Sequence, residues 1–523
     1  MASFLRASSA IVSPASSTPS AAADALAPQA FSIFDVLKAH PTATTVLTIV
    51  ASLLILEQVV YRSKKGRLPG DYWTIPIIGK FLSSLYPTLE GYQRQWDSGE
   101  LSAISVFNIF IVMASTNQYT RKILNSPTYA EPCLVHSAKA VLEADNWVFL
   151  TGKVHSDYRR MLNSLFTRKA LALYLEIQDK ISRRTYSEWL AKQDGNHNSI
   201  MIPVRDFNME VSLKVFCGPH IPQEAVLEIS NIYWKITKAL ELVNFPLALP
   251  GTKIYGAIQA RKVAMRYLTA AADKSRAAMA AGGEPQCLID AWCKEMMIAA
   301  EDPTTKKETK KYFSSHEIAQ VVLSFLFASQ DAMSSGIIYM FQHFADYPEV
   351  LAKVREEQLR VRDGDVSAPM TVEMLDDSPY LRAAVKESLR VKPPVTMVPY
   401  KTTRAFPIAD NYTVPSNSMV IPSLYPSLLD PEVYEDPHAY KPERWLDPES
   451  PANKATNNWL VFGAGPHRCI GQEYTVMNMA VAMSTAALMM DWEHKITPDS
   501  DKVQIIATIF PQDGCLLKFS PRQ

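Results

Sequence analysis

The sequence predicts a mainly α-helical protein with a small β portion, and three observations carry that expectation. An apolar segment from Ile318 to about Ala345 is opened by Ser314 with Glu317 three residues on, the spacing of a capping box. A second long segment, Thr475 to Met490, is full of Ala and Met. Between them, Val395 to Pro426 is rich in Pro, Thr and Val, which reads as short strands and turns. With 523 residues, 47% of them hydrophobic, the chain can bury a large core. No repeat or composition break divides it after about residue 70, so one large domain is expected, over 71–523.

Taken in order, the first residues, 1–41, are Ser-, Ala- and Pro-rich and read as a disordered tail. A mitochondrial presequence should be rich in Arg and poor in acids, whereas this stretch has Arg6 with Asp24 and Asp35. Residues 42–61, Thr42 to Tyr61, form a transmembrane span around the apolar run Val46 to Leu56, with Glu57 and Gln58 near the interface. A buried core helix is the other reading. The basic flank Arg62, Lys64, Lys65 and Arg67 favours the span, and places the tail lumenal and the rest cytosolic. Residues 62–70 are a basic hinge closed by Leu68-Pro69-Gly70.

Lys+Arg and Asp+Glu are 53 each, so nothing points to nucleic acid or an acidic substrate. The six cysteines, Cys133, Cys217, Cys287, Cys293, Cys469 and Cys515, have no paired spacing, which fits a reducing compartment. The segment after Ser314 is apolar nearly all round and must be a central buried helix, stopping before Pro348. Leu351 to Arg362 reads as an amphipathic helix ended by Asp363-Gly364, and Tyr380 to Val391 as a helix ended by Pro393-Pro394.

Residues 462–471 read Phe-Gly-Ala-Gly-Pro-His-Arg-Cys-Ile-Gly. Gly463, Gly465 and Pro466 make a tight loop before Cys469, and Gly471 and a helix follow it. Backbone N–H groups at a helix start stabilise a thiolate, so Cys469 is the candidate metal ligand. The plain alternative is a buried structural cysteine.

This segment resembles the haem-binding loop of the cytochrome P-450 superfamily, Phe-Gly-x-Gly-x-Arg-x-Cys-x-Gly. The resemblance implies the cytochrome P-450 fold with an N-terminal membrane anchor and haem b with an axial Cys469 thiolate. It also implies that Phe462, Gly463, Gly465, His467, Arg468 and Gly471 surround that haem. His467 departs from the pattern, standing where the propionate-holding Arg is usual. It is compatible if protonated or if it donates as a neutral ring. Gly152-Lys153-Val154-His155 with Arg159 resembles the helix that offers Trp-x-x-x-Arg to a propionate, with His155 in place of Trp. A solvated basic face is the alternative there.

Lys386-Glu387-Ser388-Leu389-Arg390 holds the Glu-x-x-Arg pair, and Pro442-Glu443-Arg444-Trp445 resembles the segment whose arginine completes a buried cluster. Glu387, Arg390 and Arg444 are thereby candidates for a structural role behind the haem. Ala328-Ser329-Gln330-Asp331-Ala332 resembles the superfamily pattern Ala/Gly-Gly-x-Asp/Glu-Thr, with Asp331 in the acid position. An acid in an apolar helix must be paired or relay protons. Ala332 removes the usual hydroxyl, and Ser334, Ser335 or water is the expected substitute.

Several segments are similar to one branch, the fungal sterol C-22 desaturases: 146–171, Phe325 to Ala332, and Trp459 to Tyr474. That similarity implies removal of two hydrogens across the C22–C23 bond in ergosterol biosynthesis, with dioxygen, electrons from NADPH through NADPH-cytochrome P-450 reductase, and residence in the endoplasmic reticulum membrane. Expected sterol contacts are Phe325, Ala328, Ala332, Thr396, Met397 and Phe510, with core packing as the alternative for each. Phe327 and Ile509 belong to the same group. Phe245 to Gly251 resembles a loop that dips into the membrane over the access channel. Arg159, Arg160 and Arg168 are candidates for a reductase-docking face. Other readings stay open: a hydroxylase or demethylase of another lipid, a haem-thiolate isomerase that uses no dioxygen, and a haem- or sterol-binding sensor. Asp331 argues against the isomerase.

Overall fold

The computed structural model of the chain describes residues 40–134, 137–239, 247–301, 313–506 and 508–522. The described residues fall into two units, one ending at Glu57 and one starting at Gln58. The expected tail, residues 1–39 of it, lies outside the described residues, as do Phe245 and Pro246.

Helix α1 (Pro41–Lys65) has 25 residues and exposes Val46, Leu47, Ile49, Leu53, Ile55 and Leu56. At 1.5 Å per residue it is about 37 Å long, enough to cross a hydrocarbon layer of about 30 Å. Another helix, Ser315–Asp346, is also long and apolar enough to span, but 78% of its apolar window is buried inside the protein against 6% for α1. α1 is therefore the candidate membrane anchor.

α1 runs past Tyr61, and its last turns belong to the second unit. Gln58, expected at a lipid interface, is buried with both amide groups used by Thr74: its carbonyl accepts from the Thr74 N–H at 3.0 Å and its amide donates to the hydroxyl at 3.1 Å. The Tyr61 hydroxyl donates to the Asp71 carbonyl at 3.2 Å. The turn at Leu68-Pro69-Gly70 is pinned to the sheet, where Ala103 N–H donates to the Pro69 carbonyl at 2.8 Å. Gly70 sits at φ +128, and a Cβ there would lie 2.1 Å from the Ala103 carbonyl oxygen, so only glycine fits.

In the second unit the helices that frame the site are α2 (Gly152–Asn163), α3 (Arg168–Lys192), α4 (Met201–Cys217), α5 (Gln223–Ala239), α6 (Lys253–Ala280), α7 (Ser315–Asp346), α8 (Pro348–Arg360), α9 (Pro379–Val391) and α10 (Gln472–Met489). α7 is the central helix. Its capping box is formed: the Ser314 hydroxyl accepts from Glu317 N–H at 3.2 Å, and Ser314 N–H donates to the Glu317 carboxylate at 2.8 Å. It packs on α4, α6, α9 and α10, and few of its residues reach solvent.

The β portion is small. Strands β1 (Leu101–Val106), β2 (Ile109–Ala114), β3 (Ala130–Pro132), β4 (Tyr400–Thr402) and β5 (Met419–Pro422) form one sheet in the order β1-β2-β5-β4-β3. Only β2 and β5 pair in parallel, with Ile111 opposite Met419. A hairpin of β6 (Val503–Ile506) and β7 (Thr508–Pro511) lies against α7.

Because Gln58 and Tyr61 bond within the second unit, removing residues 1–57 should leave its melting temperature unchanged, while removing 1–65 should lower it. Differential scanning calorimetry of the two truncations checks this. Equal melting points would show that the last turns of α1 add nothing to the second unit.

Candidate active site

Cys469 lies at the end of a closed loop. Its N–H donates to the Phe462 carbonyl at 3.0 Å, and Gly463 N–H turns back to the Leu460 carbonyl at 2.9 Å. Gly465, at φ +72, packs so closely that a Cβ would sit 2.1 Å from the Leu124 carbonyl oxygen. Gly471 then caps α10, accepting from Thr475 N–H at 2.8 Å. Crowding protein desolvates the thiol and raises its pKa, while the Gly471 N–H, Arg159 and Arg468 pull it down. The sequence led us to expect a lowered pKa from the helix start. Burial outweighs that contribution. Cys469 is nonetheless surface-accessible. A thiol crowded on its protein side, open on the other and flanked by two guanidinium groups fits an axial ligand of haem iron.

Around it converge groups from α2 and the loop. The His155 and His467 rings stack with centroids 4.1 Å apart, and Trp147 lies parallel to His155 at 6.4 Å. Arg159 donates to the Arg468 carbonyl. Burial first, then His155 and Arg159, push His467 down to about 4, and burial and Arg159 lower His155. Burial thus favours the neutral one of the two states that the sequence left open for His467. Among the described residues no carboxylate pairs with His155, Arg159 or His467. A set of N–H donors without an acid partner fits haem propionates.

Behind the loop, the buried Glu387 carboxylate collects five hydrogen bonds. One oxygen accepts from Arg390 at 2.7 Å, Arg444 at 2.8 Å and Lys441 N–H at 3.1 Å. The other accepts from Arg390 and the Trp445 indole, each at 2.8 Å. Arg390 also donates to the carbonyls of Leu428, Pro437 and Ala439 at 2.8, 2.7 and 3.1 Å. The three expected members thus meet, and Trp445 and the carbonyls of an irregular segment join them without any sequence signal of their own.

On α7, Ala328 is exposed and Ala332 partly so, one turn apart on a helix otherwise buried around them. Asp331 is buried and fully engaged. Arg205 of α4 pairs with one carboxylate oxygen, and the Thr237 hydroxyl of α5 donates to the other at 2.9 Å. The Thr508 hydroxyl donates to the Asp331 backbone carbonyl at 3.4 Å. These three partners are 126, 94 and 177 residues away and were not legible in the sequence, although Arg205 is a charge within an apolar helix. Ser334 bonds back to the Gln330 carbonyl and Ser335 donates to the Ile509 carbonyl, so neither hydroxyl points to the acid.

Several expected sterol contacts pack against protein side chains, as the core-packing alternative has it. Phe325 is enclosed edge-on or tilted by Trp147, Phe166 and Phe216 at 6.2, 5.6 and 5.8 Å. Phe510 and Ile509 are fully buried on β7, and Phe327 packs on the main core. Met397 packs on a small cluster of Trp96, Met113 and Tyr425. Thr396 is buried, its carbonyl accepting from Leu424 and Tyr425 N–H groups at 2.8 and 3.1 Å. For each of these the apolar pattern that marked a pocket marks a core equally well. Leu247 and Leu249 of the apolar loop are exposed. Of the three arginines expected to dock a reductase, Arg159 bonds the Arg468 carbonyl, Arg168 is tied to Asp376 at 2.6 Å, and Arg160 stands exposed beside Asp157.

The sequence profile of the cytochrome P450 family matches residues 99–519. The chain is 43% identical over 500 residues to a C-22 sterol desaturase of Saccharomyces cerevisiae, covering 94% of this chain and 92% of that one. It is 43% identical over 495 residues to a C-22 sterol desaturase of Gibberella zeae, covering 92% of each. A cytochrome P450 monooxygenase of Emericella variicolor is 42% identical over 490 residues, covering 91% of this chain and 92% of its own. Among solved structures, the retinoic acid-bound cyanobacterial CYP120A1 superposes with a TM-score of 0.74 at 20% identity, over 87% of this chain and 99% of that one, a likeness of fold.

Deleting the Glu387 side chain strands the buried Arg390 guanidinium and the half-buried one of Arg444. Breaking a buried ion pair in this way costs about 3–5 kcal/mol. Glu387→Ala should therefore fail to accumulate as folded protein or unfold at much lower denaturant, whereas Glu443→Ala, on the exposed side of the same segment, should not. Urea unfolding followed by circular dichroism measures both.

Proposed function

Because the chain belongs to the cytochrome P450 family, we propose that it is a sterol C-22 desaturase, a haem-thiolate oxidoreductase that introduces the C22–C23 double bond of the ergosterol side chain. The observation that carries this reading is 43% identity to two C-22 sterol desaturases over more than nine-tenths of the chain. The balance is one sterol, one dioxygen, one NADPH and one proton to one alkene, one NADP+ and two waters.

Bound haem supplies dioxygen reduction and hydrogen abstraction from the sterol. Cys469 would hold that group, with His155, His467 and the Arg159 guanidinium as donors to its propionates. Glu387, Arg390 and Arg444 keep the segment before the loop in place. On α7, Ala328 and Ala332 would leave room for a flat, bulky sterol to bring C22 and C23 to the reacting centre, where small misplacement changes the product. Asp331, with its Arg205 and Thr237 partners, is the group that passes protons inward. Electrons come from a reductase, here NADPH-cytochrome P450 reductase. The chain crosses the endoplasmic reticulum membrane once, through α1, with residues 1–41 lumenal, a hinge over 62–70 and the catalytic domain, 71–523, cytosolic. The basic residues Arg62, Lys64, Lys65 and Arg67 after the apolar run support that orientation.

A second reading is monooxygenation of another lipid, favoured by the 42% identity to a fungal protein named for that activity. Reconstitution with a reductase, NADPH, oxygen and an ergosta-type sterol saturated at C22 separates the two. Mass spectrometry should show loss of two hydrogens with a new side-chain double bond. Gain of one oxygen at the side chain would move the function to hydroxylation.

A further inference from the structure

The balance above draws protons from solvent to a buried site on every turnover, and the acid on α7 lacks a neighbouring hydroxyl because residue 332 is alanine. The helix does not make up the loss itself. Ser329 lies 3.4 Å from both the Leu326 carbonyl and the Ser212 hydroxyl, Ser334 bonds to the Gln330 carbonyl, and Ser335 bonds to the Ile509 carbonyl. All three hydroxyl protons of that stretch are engaged away from Asp331.

The geometry points to Thr237 as the positioning residue that replaces the missing hydroxyl, acting on Asp331 from a different helix. A threonine within a helix commonly returns its hydroxyl to its own preceding turn. Thr237, two residues before the end of α5, instead reaches across to α7 and donates to the Asp331 carboxylate at 2.9 Å, in surroundings that leave both residues buried. Arg205 holds the other oxygen from α4. The carboxylate is thus gripped from two helices at once, so its rotamer is fixed only while both are in place. Losing the Thr237 hydroxyl leaves one buried oxygen without its donor and lets the carboxylate follow Arg205 alone. Thr237 touches neither sterol nor cofactor in this role. It sets where the acid stands and how readily a proton leaves it.

This inference rests on the oxygen-activating reading above and holds for desaturation or hydroxylation alike, since both draw two protons for each dioxygen reduced. The test is Thr237→Val, which keeps the shape and removes the hydroxyl, in the membrane-bound holoenzyme reconstituted with reductase. The fraction of NADPH converted to sterol product rather than released as hydrogen peroxide should fall roughly tenfold, the scale of one hydrogen bond to a charged group. The KM for sterol should stay near wild type, the solvent isotope effect should rise, and Thr237→Ser should restore both coupling and isotope effect.

A second readout needs no turnover: a urea-unfolding double-mutant cycle of Thr237→Val with Asp331→Asn should show that the two side chains are energetically coupled. Wild-type coupling and isotope effect in Thr237→Val would overturn the proposal. So would a loss of stability and activity that Thr237→Ser does not rescue, which would make Thr237 a packing residue. If the wild type oxidises no sterol, the oxygen-activating reading fails, and a zero coupling energy in the unfolding cycle would then count separately against the contact itself.

Discussion

A single buried carboxylate, Glu387, ties the second half of the chain together. It is wholly enclosed, and a bare charge there would be prohibitive, so five donors surround it. Those donors come from α9 and from the segment just before the thiolate loop, and Arg390 extends the network to three carbonyls of the irregular stretch 428–439. A stretch with little regular structure gains a fixed path because its backbone carbonyls are needed to satisfy one guanidinium. The loop that presents Cys469 starts from the end of that path.

The two functional faces solve the same electrostatic problem in opposite ways. Near Cys469, among the described residues, nitrogen donors gather without an acid partner, and burial lowers the pKa of both histidines. Such a set is complete only with an anionic group bound. On α7 the acid Asp331 arrives with its partners already in place, from α4, α5 and β7. One face is built to receive charge from outside the chain, and the other to hold charge of its own.

What the sequence made legible follows from locality. The capping box at Ser314, the helices over Tyr380–Val391 and Thr475–Met490, the short strands after Val395 and the Glu387–Arg390 pair depend on neighbours within a few residues, and all appear close to their expected bounds. The Arg444 arm of the cluster was legible through the family resemblance. Thr237, Arg205 and Thr508 were not, because each meets Asp331 only after the chain folds back over about a hundred residues or more. The apolar residues Phe325, Met397 and Phe510 were read as pocket lining because a sterol pocket and a core call for the same side chains. Burial sets two of them apart: Phe325 and Phe510 are buried in protein, Met397 is half-buried against a small cluster, and Ala328 is exposed with Ala332 half-buried one turn on.

The account stands or falls on Cys469 as the sulfur ligand of a bound haem. The most direct test is the absorption spectrum of the purified, reduced, carbon monoxide-bound protein, taken for the wild type and for Cys469→Ser. A strongly red-shifted, thiolate-type band in the wild type that is lost in the variant is the result expected. The same band in both proteins, or a histidine-type band in the wild type, would contradict the assignment.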